Sequence, residues 1–219
     1  MKIIIFLALV FYSKTVDSQK VEFISGLNIN KYYDLEENLR GSNYTSEIGY
    51  NLGISLDWQE ISWLKAVLNF TNYSGNINIS KGGRAGGTNL NGSIRKSIVS
   101  FDIYPIKIRH KFEIDIGISS SILIRDNTEG RVRTFVLNSQ GPPIDTDDTI
   151  NERFPKINSN AVFGLIGKIA YRIQMFNNLE ITPYYSYYIG MTKEFGEFIE
   201  ETRSMRHTIG LGISKPIIE

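Results

Sequence analysis

Few residues in this chain of 219 could do chemistry. It has two histidines, His110 and His207, and no cysteine, which excludes thiolate nucleophiles, thiolate metal sites and disulfides. A histidine works as a general base only where a second group fixes its tautomer and aim. His207, in "RHTIGLG", has no companion motif, and alternation along that segment turns it to the apolar side, beside an inward Arg206. His110 stands between Arg109 and Lys111 and reads as a solvated turn residue. Two widely separated histidines cannot complete a structural zinc site. "KGGRAGG", residues 81–87, looks like a phosphate cradle but lacks the closing Gly-Lys-Ser/Thr and a following helix; it reads as a hairpin tip. "DTDD", Asp145 to Asp148, offers carboxylates to Ca²⁺ without EF-hand spacing, and reads first as a solvated acidic loop. The chain is therefore expected to be non-enzymatic, with no catalytic, cofactor-binding or metal-ligating residues and no cofactor.

A second set of charged residues has a spacing that asks for a different explanation. Glu47, Lys65, Glu113, Asp115, Lys168, Arg172, Glu180 and Arg206 are of both signs, and each lies in a stretch where every second residue is apolar and on the parity opposite to the apolar ones. In "IGYNLGISLDW", 48–58, the apolar set is Ile48, Tyr50, Leu52, Ile54, Leu56 and Trp58. A period of two is a strand with one apolar face. Similar runs cover about 20–32, 61–73, 93–104, 112–124, 160–174, 179–192 and 203–215, which makes eight candidate strands with no helical pattern between them. The connections alternate long and short: 33–43, then Gln59 and Glu60, then 74–92, a tight segment near Pro105, then 126–156, Asn177 and Asn178, and 193–202.

What the apolar face touches decides the class. In a soluble barrel it would point inward and the other parity would carry Lys, Glu and Thr into water. Here the other parity is rich in Gly, Ser and Asn, small enough to fill a narrow eight-stranded lumen, and its charges would pair across that lumen. Eleven residues at about 3.3 Å each, tilted about 45°, reach roughly 25 Å, the height of an outer-membrane apolar band. Trp58, Trp63 and Phe112 fall at the short-turn ends, and Tyr32, Tyr33, Tyr44, Tyr73 and Tyr188 toward the long-loop ends; Tyr185 and Tyr187 join the aromatics assigned to the membrane interface. The expected fold is all-β, an eight-stranded antiparallel up-and-down transmembrane barrel with short periplasmic turns and long extracellular loops. The alternative is a soluble exported barrel of lipocalin type that binds a ligand.

Composition and the N-terminus agree. A net charge of +1 gives no basic surface for nucleic acid. Lys2, the apolar run 3–12 and the small residues before Gln19 read as a signal peptide over 1–18, cleaved on export, with a single barrel domain over 19–219. The apolar run is too short for a membrane helix.

The segments "EFISGLNINKYYD", "SEIGYNLGISLDW" and "RHTIGLGISKPIIE" resemble the PorT-like outer-membrane β-barrel proteins of Gram-negative bacteria, similar in architecture to small OmpA- and OmpX-type barrels. The resemblance implies a place in the outer membrane, with lipid as a partner and other outer-membrane proteins as possible ones, through the wall or the loops. The resemblance fits an accessory subunit of a secretion, uptake or barrel-insertion machine and a stand-alone structural or adhesive barrel of OmpX type; a pore is the weakest of the three roles, since inward Glu, Asp, Lys and Arg would plug an eight-stranded lumen. "KEFGEFIEETR", 193–203, puts Phe195, Phe198 and Ile199 among acids, and is the expected partner-contact loop.

Overall fold

The computed structural model describes residues 19–33, 41–58, 64–83, 85–138, 141–153, 158–175, 179–195 and 202–214. The expected signal segment, Trp63, Phe198 and Ile199 lie outside them. Among the described residues all strands belong to one antiparallel sheet. In chain order they are β1 (Gln19–Tyr32), β2 (Asn43–Ser46), β3 (Ile48–Trp58), β4 (Lys65–Gly83), β5 (Gly86–Arg109), β6 (Phe112–Asp126), β7 (Glu129–Val136), β8 (Ile144–Thr149), β9 (Ala161–Tyr171), β10 (Ile173–Gln174), β11 (Glu180–Gly190) and β12 (Ser204–Ser214). A four-residue helix, α1 (Ile150–Arg153), follows β8.

The pairings form a cycle. β1 pairs β3, then β3 with β4, β4 with β5, β5 with β6, β6 with β9, β9 with β11, β11 with β12, and β12 returns to β1 from Glu22↔Ser214 to Tyr32↔Ser204. Within this cycle the alternation read from the sequence sets the burial, and it is inverted relative to a water-soluble sheet. Phe23 is 64% exposed and Ile209 70%, while Lys65 is 2% and Asp115 1% exposed. The apolar residues form the outer wall and the polar ones the interior.

The sheet has twelve strands where the sequence pattern gives eight. The difference lies mainly in the connections expected to be long loops. The segment 74–92 is no loop: β4 and β5 stay paired as far as Gly83↔Gly86. Its Gly, Asn and Ser content suggested a loop, but neighbouring strands on both sides satisfy its backbone. Segment 126–156 contains β7, which pairs the far half of β5, then β8 and α1. Thr149 and Glu152 close the start of α1 reciprocally, Glu152 N donating to Thr149 Oγ1 and Thr149 N to the Glu152 carboxylate, the capping-box arrangement. β2 pairs β4 on the other side. Together β2, β4, β5, β7 and β8 make a sheet that continues past the ends of the other strands.

Two prolines mark irregularities. The tight connection expected near Pro105 is absent: β5 runs on to Arg109, and the turn is at His110 and Lys111, with His110 N donating to Phe112 O. Pro105 sits instead where the β5–β6 register shifts, between Ile103 and Ile106, a bulge that tolerates a residue without an N–H. Pro183 explains β10. The pairs Tyr184↔Ala170 and Ile173↔Ile181 share one register, so β9 and β10 are a single path along β11, interrupted opposite Pro183.

Candidate functional site

The interior is packed in layers. At the end carrying the short turns it is ionic. Lys65 Nζ donates to Asp115 Oδ2 at 2.8 Å, Lys168 lies 3.5 Å from Glu22, Lys107 donates to Asp57 at 2.9 Å, and Lys20 pairs with Glu180. Arg109 bonds Asp57, and Arg172 bonds Glu113 and reaches Glu180 at 3.5 Å. Buried charges are tolerated only when paired; Asp115 on β6 has Lys168 directly opposite on β9 and takes its hydrogen bond from Lys65, which reaches in from β4.

Above it lies an apolar layer of Ile24, Val67, Tyr104, Ile166, Ala170 and Tyr184. Lys168 Nζ stands 4.4 Å over the Tyr184 ring, and Asn69 donates to Asp102 at 2.7 Å. Next comes Arg206, stacked between Tyr73 and Tyr188 with its guanidinium 5.2 and 5.1 Å from the ring centres. Lys96 reaches Glu194 at 3.5 Å, and Tyr73 Oη donates to the same carboxylate. Burial pushes the Glu194 carboxyl up, but the Lys96 ammonium and the Ser204 and Tyr73 hydroxyls more than offset this and hold it below the usual glutamate range. A second apolar layer closes the top: Tyr32, Ile77, Ile79, Leu90, Ile94, Val132, Ile150 and Phe195. Among the described residues these layers follow one another along the axis of the cycle.

Of the eight charged residues expected inside, Lys65, Glu113, Asp115, Lys168, Glu180 and Arg206 are buried and Arg172 is half-buried. Glu47 is a correction. It precedes β3 at the break from β2, is exposed, and accepts a hydrogen bond from Ser74 Oγ; the break releases it from the inward alternation. Lys20, Glu22, Asp57, Lys96, Asp102, Lys107, Arg109 and Glu194 are further members that the sequence reading left out. For Lys20 and Glu22 the signal was present, since both oppose the Val21/Phe23 parity.

The loop assignment is corrected as well. Phe195 is not a contact residue: it is 0% exposed, packs on Tyr32 at 5.0 Å between ring centres, and lies under Lys96 Nζ at 4.4 Å. The start of the β11–β12 connection turns inward and its largest apolar side chain joins the core. Among the aromatics, Phe112 is exposed at the start of β6, 5.0 Å from the Tyr171 ring. Trp58 ends β3. Tyr185 and Tyr187 lie at mid-strand in β11 and not at its end, where they meet His207: Tyr185 Oη is 2.7 Å from His207 Nδ1, and the Tyr187 and His207 rings are 4.9 Å apart. That group is on the outer wall, as expected for His207. On the sheet beyond the cycle, Asp145 is engaged by Arg133 at 2.6 Å and Asp147 by Arg131 at 3.4 Å, so two carboxylates of the "DTDD" stretch already have cations. Among the described residues no three acidic or histidine side chains converge as a metal site would require.

No protein-family model and no curated protein matches the chain, so the PorT-like resemblance stays with the motifs that carry it. Among solved structures the chain is similar to Neisserial surface protein A, at 14% identity over 89% of this chain and 96% of that one, TM-score 0.38. It is similar to OprG from Pseudomonas aeruginosa at 13% identity, 90% and 96% coverage, TM-score 0.40. A third likeness is to Ail, the attachment invasion locus protein of Yersinia pestis, at 8% identity, 90% and 98% coverage, TM-score 0.34.

Proposed function

We propose that this chain is a non-enzymatic integral outer-membrane protein, an eight-stranded β-barrel exported through a cleaved signal peptide, that serves as a structural or accessory subunit of a larger outer-membrane assembly. The observation that carries the reading is the inverted burial around the cycle of strands: paired charges inside, and Phe23, Leu27, Ile116, Leu165, Ile209 and Leu211 exposed outside. In water such a wall would be a very large apolar patch; in hydrocarbon it is the favoured surface. A lipocalin-like role is disfavoured, because among the described residues the interior carries ion pairs and tyrosines, where an apolar ligand would need an apolar lining. The same packing opposes a pore, and planar bilayers holding the folded protein are expected to show no steady channels.

The accessory role is supported by the end of the β7–β8 hairpin. Phe135, Val136, Leu137 and Ile144 are all exposed there, on a sheet continuous with the cycle through the pairing of β4, β5 and β7. The motifs resembling PorT-like barrels agree with this role. His207 supports the non-enzymatic part, since its ring nitrogen is held by a phenol on the outer wall and not by a carboxylate in a cleft. The test is extraction of the native protein from outer membranes in mild detergent, with sizing and identification of what copurifies. A stoichiometric larger particle is expected. A monomer with no companion would replace the accessory role with that of a stand-alone barrel, and recovery in the soluble fraction without detergent would overturn the membrane reading itself.

A further inference from the structure

Where the outer wall changes from apolar to polar, two arginines stand side by side. On β5 the outward residues run Phe101, Val99, Ser97, Arg95; on β6 they run Ile118, Ser120, Ile122, and then Ile124 and Arg125. Arg95 and Asn127 exchange both backbone hydrogen bonds, at 3.3 and 2.9 Å, and Arg125 is opposite Ser97. The arginines are thus diagonal neighbours on one face, with Cβ atoms about 7–8 Å apart or less, within reach of long side chains. Both are exposed.

The position of Arg125 depends on a bulge. Val99 is opposite Ile122 and Ile98 opposite Leu123, but Ser97 is opposite Arg125, so Ile124 is an extra residue in β6. Without it Arg125 would share the inward parity of Ser121 and Leu123. Bulges re-aim side chains in this way, and here the result is a second positive charge set beside the first. Like charges in such a position repel, and among the described residues neither arginine has a carboxylate partner. The nearby acids accept hydrogen bonds from neutral donors, Glu47 from Ser74, Asp126 from Thr128 and Asn158, and Glu129 from Asn127, and none of them forms an ion pair with either arginine.

We propose that Arg95 and Arg125 form a binding site for the phosphate of an anionic lipid in the leaflet on the long-loop side. Guanidinium groups present planar forks that match phosphate oxygens. Ile122 and Ile124, exposed directly beneath on the membrane side, would lie along the acyl chains while the headgroup reaches the arginines. A free phosphate would satisfy the charge but gain nothing from the isoleucines, which is why the lipid is the assigned source. The inference rests on the membrane reading above.

The experiment is native mass spectrometry of the full protein released from detergent containing equal amounts of dioleoylphosphatidylglycerol and dioleoylphosphatidylcholine. Wild type is expected to retain one phosphatidylglycerol in preference. Arg95→Gln/Arg125→Gln should lower that retention roughly thirtyfold, from about 1 kcal/mol for each of the two basic residues near an anionic surface. Arg95→Lys/Arg125→Lys, which keeps the charge and loses the forks, should fall between. Heat-dependent gel mobility checks that each variant is folded. Equal retention of both lipids, retention unchanged in the double glutamine variant, or displacement by millimolar inorganic phosphate would overturn the proposal. Each of these is read on a protein that still needs detergent, so it is distinct from failure of the membrane reading, in which the chain is soluble without it.

Discussion

Lys65 on β4 and Asp115 on β6 meet across the interior at 2.8 Å, with side chains 3% and 1% exposed. Neither ion could be there alone, since an unpaired buried charge costs several kcal/mol. Lys65→Met and Asp115→Leu are each expected to destabilise the folded protein by about 3–5 kcal/mol, while the double variant recovers most of the loss because two apolar groups leave nothing unpaired. Unfolding in urea with the protein in lipid vesicles, carried through the double-mutant cycle, measures this. Additive losses would mean that the two side chains do not depend on each other.

That pair shows what a linear pattern can reveal and where it stops. Lys65 and Asp115 both sit on the polar parity, so their inward direction follows from alternation alone. Which cation meets which anion does not, because it depends on reach across the interior: Lys168 is directly opposite Asp115 yet pairs with Glu22. Segment 74–92 misled for a different reason. Gly, Asn and Ser are turn formers in isolation, and only the long partner strand β5 makes them a strand. Phe195 among acids has the pattern of an exposed amphipathic stretch, but its place is set by the apolar cluster it joins with side chains of β1, β4, β5, β7 and α1, which no local pattern encodes. Arg125 was hidden likewise, because a single inserted residue reverses parity.

Phe195 is expected to fasten the start of the β11–β12 connection over the interior. Replacing it with Ala removes a ring packed on Tyr32 and beneath Lys96 and should cost about 3–5 kcal/mol locally. Cleavage by trypsin after Lys193 is the readout, and it should rise markedly in Phe195→Ala while the strands of the wall stay resistant. Unchanged cleavage would show that the Glu194 contacts with Lys96 and Tyr73 hold the segment without the ring.

Three tyrosines lie over glycines, and this makes a paired test possible. A Cβ on Gly210 would come 2.2 Å from Ser25 O and 2.6 Å from the Tyr184 ring, and one on Gly164 would come 2.5 Å from the Tyr188 ring, whereas a Cβ on Gly167 meets nothing within 4 Å. Tyr44 covers Gly75 in the same way. Such covering restores the packing that a bare glycine lacks in a strand. Gly210→Ala and Gly164→Ala should therefore destabilise by about 1–3 kcal/mol through overpacking, and Gly167→Ala should be neutral or slightly stabilising. Urea midpoints of the three variants decide it, and a loss in Gly167→Ala equal to the others would remove the steric explanation.

The β7–β8 hairpin should be sensitive to acid in a direction set by Asp145. The hydrogen bonds from Arg133, at 3.0 and 2.6 Å, hold the Asp145 carboxyl below its ordinary value of 3.8. A depressed carboxylate contributes stability that is fully present above the unfolded value and lost as pH falls through the folded one. Amide exchange protection in the hairpin is thus expected to be flat from neutral pH down to about 5 and to drop only below about 4. Because the pair is exposed, 0.5 M salt should blunt the effect, and Asp145→Asn should remove the acid step while leaving Arg131 with Asp147. A loss of protection centred near pH 6 would assign the sensitivity to another group. Protection unaffected by Asp145→Asn at any pH would show that backbone pairing with β5 alone holds the hairpin.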